Sequence, residues 1–305
     1  METYGRRPGR RLVLAAGAGT ALATALPLSG SARAASRSGQ DIIQALRELE
    51  GEHSARLGVF ARNTVTGESV LYRADEAFPM CSVFKTLAAA AVLRDLDRNG
   101  EFLAQRIRYG EKDVEDSGYA PITGTPEHLA NGMTVAELCA AAIAYSDNAA
   151  ANLLLRELGG PTAVTRFCRS IGDGTTRLDR WEPALNSAEP WRTTDLTSPV
   201  AIGRTYARLT LGNALTPRDR RQLTACLLAN TTSGARFRAG LPQDWALGDK
   251  TGTGGYGTTN DVGVAWTPDR APVVLAVLST KDDADAPADE PLVAKTARLL
   301  ASALG

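Results

Sequence analysis

Strand patterns in this chain are confined to its two ends, and the long stretch between them reads as helix. Alternation around Thr64-Val65-Thr66-Gly67 marks a hairpin over residues 58–75, and strand-like runs return only at 245–250, 260–267 and 272–278. Helix punctuation fills the middle. Ser82 to Asn99 is apolar nearly all round and meets Gly100, which predicts a buried helix with a glycine stop. Thr134-Val-Ala-Glu137 is a capping box that opens a helix to about Tyr145, and a further helix runs from Asn148 to Leu158 before Gly159-Gly160. Ser198-Pro199 and Thr216-Pro217 each pair an N-cap with a first-turn proline. A first helix near 41–57 and a closing helix near 291–304 complete the pattern. Strands this far apart in sequence join if both chain ends build one sheet. The expected fold is therefore α/β plus all-α: a five-stranded antiparallel sheet with flanking helices, and an inserted helical domain. Residues 35–80 and 229–305 would form the α/β part and 81–228 the helical part.

Composition narrows the function. A chain of 305 residues with 44% hydrophobic and 22% charged side chains buries a substantial core, so a disordered tail protein is excluded. Lys+Arg and Asp+Glu stand at 34 each, and without a net positive field nucleic acid is not an expected partner. Two histidines, His53 and His128, and four cysteines with no C-x-x-C pair offer no local zinc set, so neither a metal nor another cofactor is expected. A Ser-His-Asp triad is disfavoured for the same shortage of histidine. Arg6, Arg7, Arg10 and Arg11 precede an uncharged run from Leu12 to Gly30, followed by Ala32-Arg33-Ala34. That is the pattern of a signal peptide over residues 1–34, and Arg10-Arg11 gives it a twin-arginine character. The run is too weakly apolar for a stable membrane anchor. The expected product is a soluble, secreted monomer of net charge −4. Cys81, Cys139, Cys168 and Cys226 are too few to scaffold a chain this long and are expected as buried free thiols.

Three short motifs carry the chemistry. Ser82-Val83-Phe84-Lys85 places a hydroxyl and an amine on one face of a first helical turn, where lysine can hydrogen-bond and activate serine. Only five of the 34 basic residues are lysines, which makes one inside a buried helix less a casual surface choice. Ser146-Asp147-Asn148 lies in a break between two helices, where by itself it reads as an N-cap. Lys250-Thr251-Gly252, followed by Thr253, sets a cation and hydroxyls beside glycine, suited to a carboxylate; alone it would be a turn.

In this order the three motifs resemble the signature set of the active-site serine β-lactamases and penicillin-binding proteins. Arg180-Trp-Glu182-Pro-Ala-Leu-Asn186, with Asp195 beyond it, resembles the omega-loop of class A β-lactamases. The resemblance covers essentially the whole chain after residue 34. It implies a hydrolase that opens the β-lactam amide of penicillins and some cephalosporins through an acyl-serine intermediate, giving antibiotic resistance, with β-lactam antibiotics as its partners. By the same resemblance, Ser82 is the nucleophile, and Lys85 is its hydrogen-bond partner and a possible base. Glu182 with Asn186 holds the deacylating water, and the acylation proton goes to either Lys85 or Glu182, a choice the family leaves open; Ser146 relays a proton to the leaving nitrogen, and Asn148 bonds the acylamide side chain. Lys250, Thr251, Gly252 and Thr253 form the carboxylate-binding strand, with the backbone N–H groups of Ser82 and Thr253 as oxyanion hole. Arg180 and Asp195 match the pair that bridges the loop.

Some features depart from the family pattern. The arginine often found on the strand after K-T-G is replaced by Thr258-Thr259-Asn260, and Arg236 matches the alternative position for that guanidinium, with Arg238 two residues away. Tyr119 resembles the aromatic at the cleft rim, on a loop lengthened by Gly124-Thr125-Pro126. In the family's carbapenemases a cysteine at the position of Cys81 pairs with one just past the K-T-G strand, but here that position is Gly254. A free Cys81 and little imipenem turnover are therefore implied. A D,D-peptidase or a non-catalytic β-lactam sensor would share the three motifs, but the first need not carry Glu182 and Asn186, and the second normally has a membrane anchor.

Overall fold

The computed structural model describes residues 29–305, and the expected signal peptide lies, through residue 28, outside the described residues. Ser38–Gly305 forms one compact unit, to which the description below applies. The first helix, α1 (Ser29–Glu52), ends before residue 57. Ser54 takes a left-handed backbone (φ 45), which breaks the helix, and Arg56 and Leu57 already belong to strand β1 (Arg56–Asn63). β1 turns through Gly67 into β2 (Ser69–Tyr72), as the hairpin pattern requires. After β3 (Phe78–Pro79), a single 3-10 turn at Cys81–Val83 leads into α2 (Phe84–Ala91).

The expected helix over 82–99 is shorter and less regular than its apolar run suggested. A π-helical turn, Val92–Leu96, follows α2, and the chain turns extended at Asp97. The Asp97 carboxylate accepts from the N–H groups of Gly100 and Leu103, so a side chain ends the helix and Gly100 (φ 92) serves the turn beyond. Nor is the middle all helix. β4 (Arg106–Ile107) pairs with β5 (Met133–Thr134) around α3 (Glu111–Ser117) and α4 (Pro126–Asn131). These two-residue ladders are too short to produce an alternating pattern. The capping box at Thr134 opens α5 (Val135–Ala144), Asp147 caps α6 (Asn148–Leu158), and α7 (Thr162–Ser170) follows. β6 (Leu196–Thr197) returns to pair with β3. Ser198 and Thr216 cap α8 (Pro199–Thr210) and α9 (Pro217–Leu228) as their prolines indicated.

One turn of helix, α10 (Phe237–Gly240), precedes three long strands, β7 (Ala246–Thr253), β8 (Thr259–Trp266) and β9 (Pro272–Thr280), and the closing helix α11 (Glu290–Leu304). Strand order is β2-β1-β9-β8-β7, antiparallel throughout. β1 from one end of the chain lies against β9 from the other, with Phe60 opposite Ala276. Lys250-Thr251-Gly252 therefore sits inside edge strand β7, not after a strand ending at Lys250.

Each face of the sheet seals a core. One joins Val262, Val264, Val274 and Ala276 to the helices around α2, whose residues Phe84–Ala91 are all buried. The other packs Leu57, Val273, Leu275 and Val277 against Leu46 of α1 and Val293 and Leu300 of α11. Truncating a fully buried side chain such as Leu87 to alanine is expected to cost about 2–5 kcal/mol.

Candidate active site

The head of α2 abuts β7, and the active-site cleft opens where they meet. Gly252 permits the approach: a Cβ there would stand 3.0 Å from the Met80 carbonyl and 3.3 Å from Cys81 Cβ. Cys81 itself is left-handed (φ 47), a conformation that costs a non-glycine residue about 1 kcal/mol or more and is held by the packing around it. Ser82 follows with its side chain in the cleft.

Lys85, one turn on, is fully buried. Its Nζ donates to the Ser146 carbonyl (2.7 Å) and to Asn148 Oδ1 (2.5 Å), stands 3.4 Å from Ser146 Oγ, and pairs with Glu182 Oε1 at 3.1 Å. The expected Lys85–Ser82 hydrogen bond is not made. Ser82 Oγ instead donates to Glu182 Oε1 at 3.3 Å, so hydroxyl and ammonium converge on one carboxylate oxygen. Burial lowers the Lys85 pKa, while the charges of Glu182 and Asp147 resist that shift.

Ser146 (φ 58) stands in the break between α5 and α6. The helix-cap reading of this motif also holds: buried Asp147 accepts from the N–H groups of Ala150, Ile122 and Thr123, tying the 119–123 loop to the head of α6. Asn148 donates from Nδ2 to the Ser117 carbonyl, and its own N–H meets the carbonyl of Tyr119, whose exposed ring stands on the rim.

Glu182 lies on the 179–195 segment, which is pinned at both ends and in between. Asp195 Oδ2 accepts from Arg180 Nε at 2.6 Å, while its Oδ1 accepts from the N–H groups of Asp179 and Arg180. The Asp195 carbonyl takes the N–H of Met80, which fixes the loop base to the chain just before Ser82. Asn152 brackets Glu182, donating to its carbonyl and accepting from its N–H, each at 3.0 Å. Asn186 Nδ2 donates to Glu182 Oε2, and the Asn186 carbonyl accepts from Gly255 N–H at 2.8 Å.

Lys250 is fully buried and donates to the Thr251 carbonyl at 2.9 Å, so it lies beneath the cleft and not on its wall. Burial, reinforced by the Lys85 charge, pulls its pKa well down. Thr251 Oγ1 meets Thr232 Oγ1 at 2.5 Å, and Thr253 Oγ1 accepts from Arg236 Nη2 at 2.7 Å. Arg236, only 4% exposed, donates from Nη1 to the carbonyls of Gly252 and Asn260. Arg238 turns instead to the carbonyls of Leu228, Asn230 and Leu247 and to Asp249.

A cleft of about 290 Å³ is lined by Ser82, Tyr119, Ser146, Asn148, Asn186, Thr232, Arg236, Thr251 and Thr253. Of the site residues expected from sequence, Lys85, Glu182 and Lys250 lie buried just below it, and Gly252 provides the close backbone contact. Thr232 and Asn152 were missed. Asn152 stands one helical turn after Asn148 and was within reach of a periodicity reading. Nothing local marks Thr232. All four cysteines are free and buried, and a Cβ at Gly254 would lie 2.7 Å from Cys81 Sγ, so glycine occupies the position facing that thiol.

Fold and site define an active-site serine hydrolase in which a buried lysine–glutamate pair, and no histidine, adjoins the serine. Residues 41–304 match the Beta-lactamase enzyme family. A β-lactamase of Streptomyces lavendulae is 70% identical over the full length of both chains, and one of Streptomyces fradiae is 62% identical over 100% of this chain and 99% of the relative. The solved β-lactamase from Streptomyces albus G superposes with a TM-score of 0.86 at 67% identity, covering 87% of this chain and 100% of the other. A mutant class A β-lactamase of the last common ancestor of Gram-negative bacteria gives 0.81 at 53% identity, covering 86% and 98%. This chain belongs to the β-lactamase enzyme family, as a class A serine β-lactamase. Among the described residues no helix is long and apolar enough to cross a membrane.

Proposed function

We propose that Ser82 is the nucleophile with which this β-lactamase opens penicillins and some cephalosporins, and that Glu182 governs both proton transfers from oxygen. The observation that carries this is the contact of Ser82 Oγ with a Glu182 carboxylate shared between Lys85 and Asn186. Ser82 Oγ attacks the β-lactam carbonyl as its proton passes to Glu182 Oε1, and Lys85 steadies the carboxylate charge that the transfer consumes. The carbonyl oxygen becomes an oxyanion facing the backbone N–H groups of Ser82 and Thr253, a stabilisation of about 3 kcal/mol per donor. The C–N bond then breaks, and the nitrogen takes a proton from Ser146 Oγ, which Lys85 Nζ can replace across 3.4 Å. Glu182 then hands the Ser82 proton to the deprotonated Lys85 across 3.1 Å, and as a carboxylate again, with Asn186, takes a proton from the water that attacks the ester; returning that proton to Ser82 Oγ frees the opened product.

Arg236 and the hydroxyls of Thr232, Thr251 and Thr253 hold the substrate carboxylate, with Lys250 adding positive charge from below. Asn148 Nδ2 has one hydrogen committed to Ser117, and the other serves the acylamide carbonyl of the substrate. Export by the twin-arginine route and a monomeric state belong to the same proposal. The arginine pair ahead of an uncharged run supports the first.

Glu182→Gln tests the mechanism. Its amide can take neither the Ser82 proton nor the water proton, so turnover should fall about 100-fold or more, and intact mass spectrometry after prolonged mixing with benzylpenicillin should show an adduct on Ser82 that forms slowly and then persists. Unchanged turnover would remove Glu182 from the mechanism. A D,D-peptidase would already show in wild type a burst of opened nitrocefin followed by slow release.

A further inference from the structure

Two carboxylates take no part in the chemistry above, yet both are fully buried beneath the carboxylate-binding strand: Asp249 on β7 and Asp261 on β8. Asp249 stands opposite Gly263 and Asp261 opposite Thr251, so the two are diagonal neighbours on one face of the sheet. Gly263 makes the room. A Cβ there would meet Asp249 Cβ at 2.7 Å. Diagonal positions on one face of a sheet bring such side chains within reach of each other. Asp261 Oδ2 accepts from the N–H of Phe237, whereas both Asp249 oxygens and Asp261 Oδ1 find no donor among the described residues. Three buried acceptors without a donor is a costly arrangement if both groups are ionised. One proton removes most of the cost.

We propose that Asp249 and Asp261 share a single proton, held on Asp261 and donated to Asp249, and that this acid pair positions Arg236 for the substrate carboxylate. Asp261 can then accept from Phe237 through one oxygen and donate through the other. Phe237 directly follows Arg236, and Arg238 Nη2 lies 3.8 Å from Asp249 Oδ1, so the pair holds the two residues that come straight after the arginine whose guanidinium faces the cleft. One negative charge also suits the surroundings. Arg236 and Arg238 on the covering segment are cationic, while Lys250 on the same strand and Tyr206 from α8 are the further titratable groups that sense the pair. Burial and the neighbouring Asp249 push the Asp261 carboxyl well above its ordinary range.

The positioning role rests on the reading of Arg236 given above, whereas the shared proton does not, and two measurements separate them. Infrared spectra of the full-length enzyme near neutrality should contain a protonated-carboxyl C=O band, present in wild type and absent from Asp261→Asn. Its absence from wild type, or its survival in Asp261→Asn, would overturn the shared proton. In kinetics with benzylpenicillin, Asp261→Ala should raise KM about tenfold with kcat changed less than about threefold. Asp261→Asn, which still donates to Asp249 and accepts from Phe237, should recover most of that loss. An unchanged KM in Asp261→Ala, or no recovery with asparagine while the band behaves as expected, would overturn the positioning role and leave the proton in place.

Discussion

Arg236 and Arg238 are two residues apart, and at the scale of single side chains their fates differ. The Arg236 guanidinium sits between Thr253 Oγ1 and two main-chain carbonyls, whereas Arg238 is exposed on one side and faces carbonyls away from the cleft. Arg236→Ala should therefore lower kcat/KM for penicillins roughly 10- to 100-fold, the loss expected for one charge-assisted contact to a carboxylate. Because Nη1 holds the carbonyls of Gly252 and Asn260, some thermal stability should go with it. Arg238→Ala should shift Tm with kcat/KM within about threefold of wild type; equal kinetic losses at both positions would reverse the assignment. That Ser82, both lysines and Glu182 gather at one cleft was legible in sequence, because the motifs narrow the choice of residue type. Their partners were less so: spacing placed Lys85 on the face of Ser82, but the bond that forms is to a carboxylate almost a hundred residues downstream. Long-range convergence of that kind has no local signal.

At the scale of elements, side chains that end or pin a segment decide what the apolar pattern leaves open. Gly100 looked like the stop of the second helix, yet Asp97 ends it earlier. The 179–195 segment shows the same control, since Asp195 alone receives Arg180 Nε and two main-chain N–H groups. Asp195→Asn would turn an amide toward Arg180, and amide exchange across 180–195 should quicken by about tenfold or more as the local opening free energy drops. Identical exchange in variant and wild type would mean that Asn152 and the Gly255 contact order the loop without it. Asp289 plays the corresponding part for α11. It accepts from Leu292 N–H as N-cap and pairs with Lys281 and His53. Partial burial favours its neutral form, but the hydrogen bonds from Lys281, His53 and Leu292 outweigh that and hold its pKa below the ordinary 3.8. A lowered carboxylate pKa stabilises the fold above 3.8 and ceases to do so as pH falls through the folded value. Asp289→Ala should cost about 1–2 kcal/mol near neutrality, and denaturant titrations should show the gap to wild type closing in acid. A gap independent of pH would remove the charge from the explanation.

At the scale of the whole molecule, the strandless middle correctly foretold a sheet closed from both chain ends, but it also suggested two separable domains, and the packing bears on how separable they are. β8 and β9 alternate between two cores: Val262, Val264, Val274 and Ala276 face the helices around α2, while Ala265, Val273, Leu275 and Val277 face α1 and α11. Each residue of the second set is a chain neighbour of one in the first. If residues 81–228 form a domain of their own, as we propose from the chain order, its unfolding would still bare one whole face of the sheet to water. At about 25 cal/mol per Å² of apolar surface, leaving even a few such side chains exposed would cost several kcal/mol, a large share of the total stability of a domain. The site adds a second tie, because the Cys81–Val83 turn of one part packs against β7 of the other, with a Cβ at Gly252 only 3.3 Å from Cys81 Cβ. The two parts should therefore unfold together. Trp245 and Trp266 lie at the sheet, and Trp181 and Trp191 on the segment that carries Glu182, so tryptophan fluorescence and far-ultraviolet circular dichroism sample different parts of the fold. In guanidinium titrations the two signals should give one coincident transition, with a single midpoint and slope. A helical signal lost at lower denaturant than the sheet tryptophans would show that the inserted helices unfold by themselves and that the shared sheet face does not bind them into one cooperative unit.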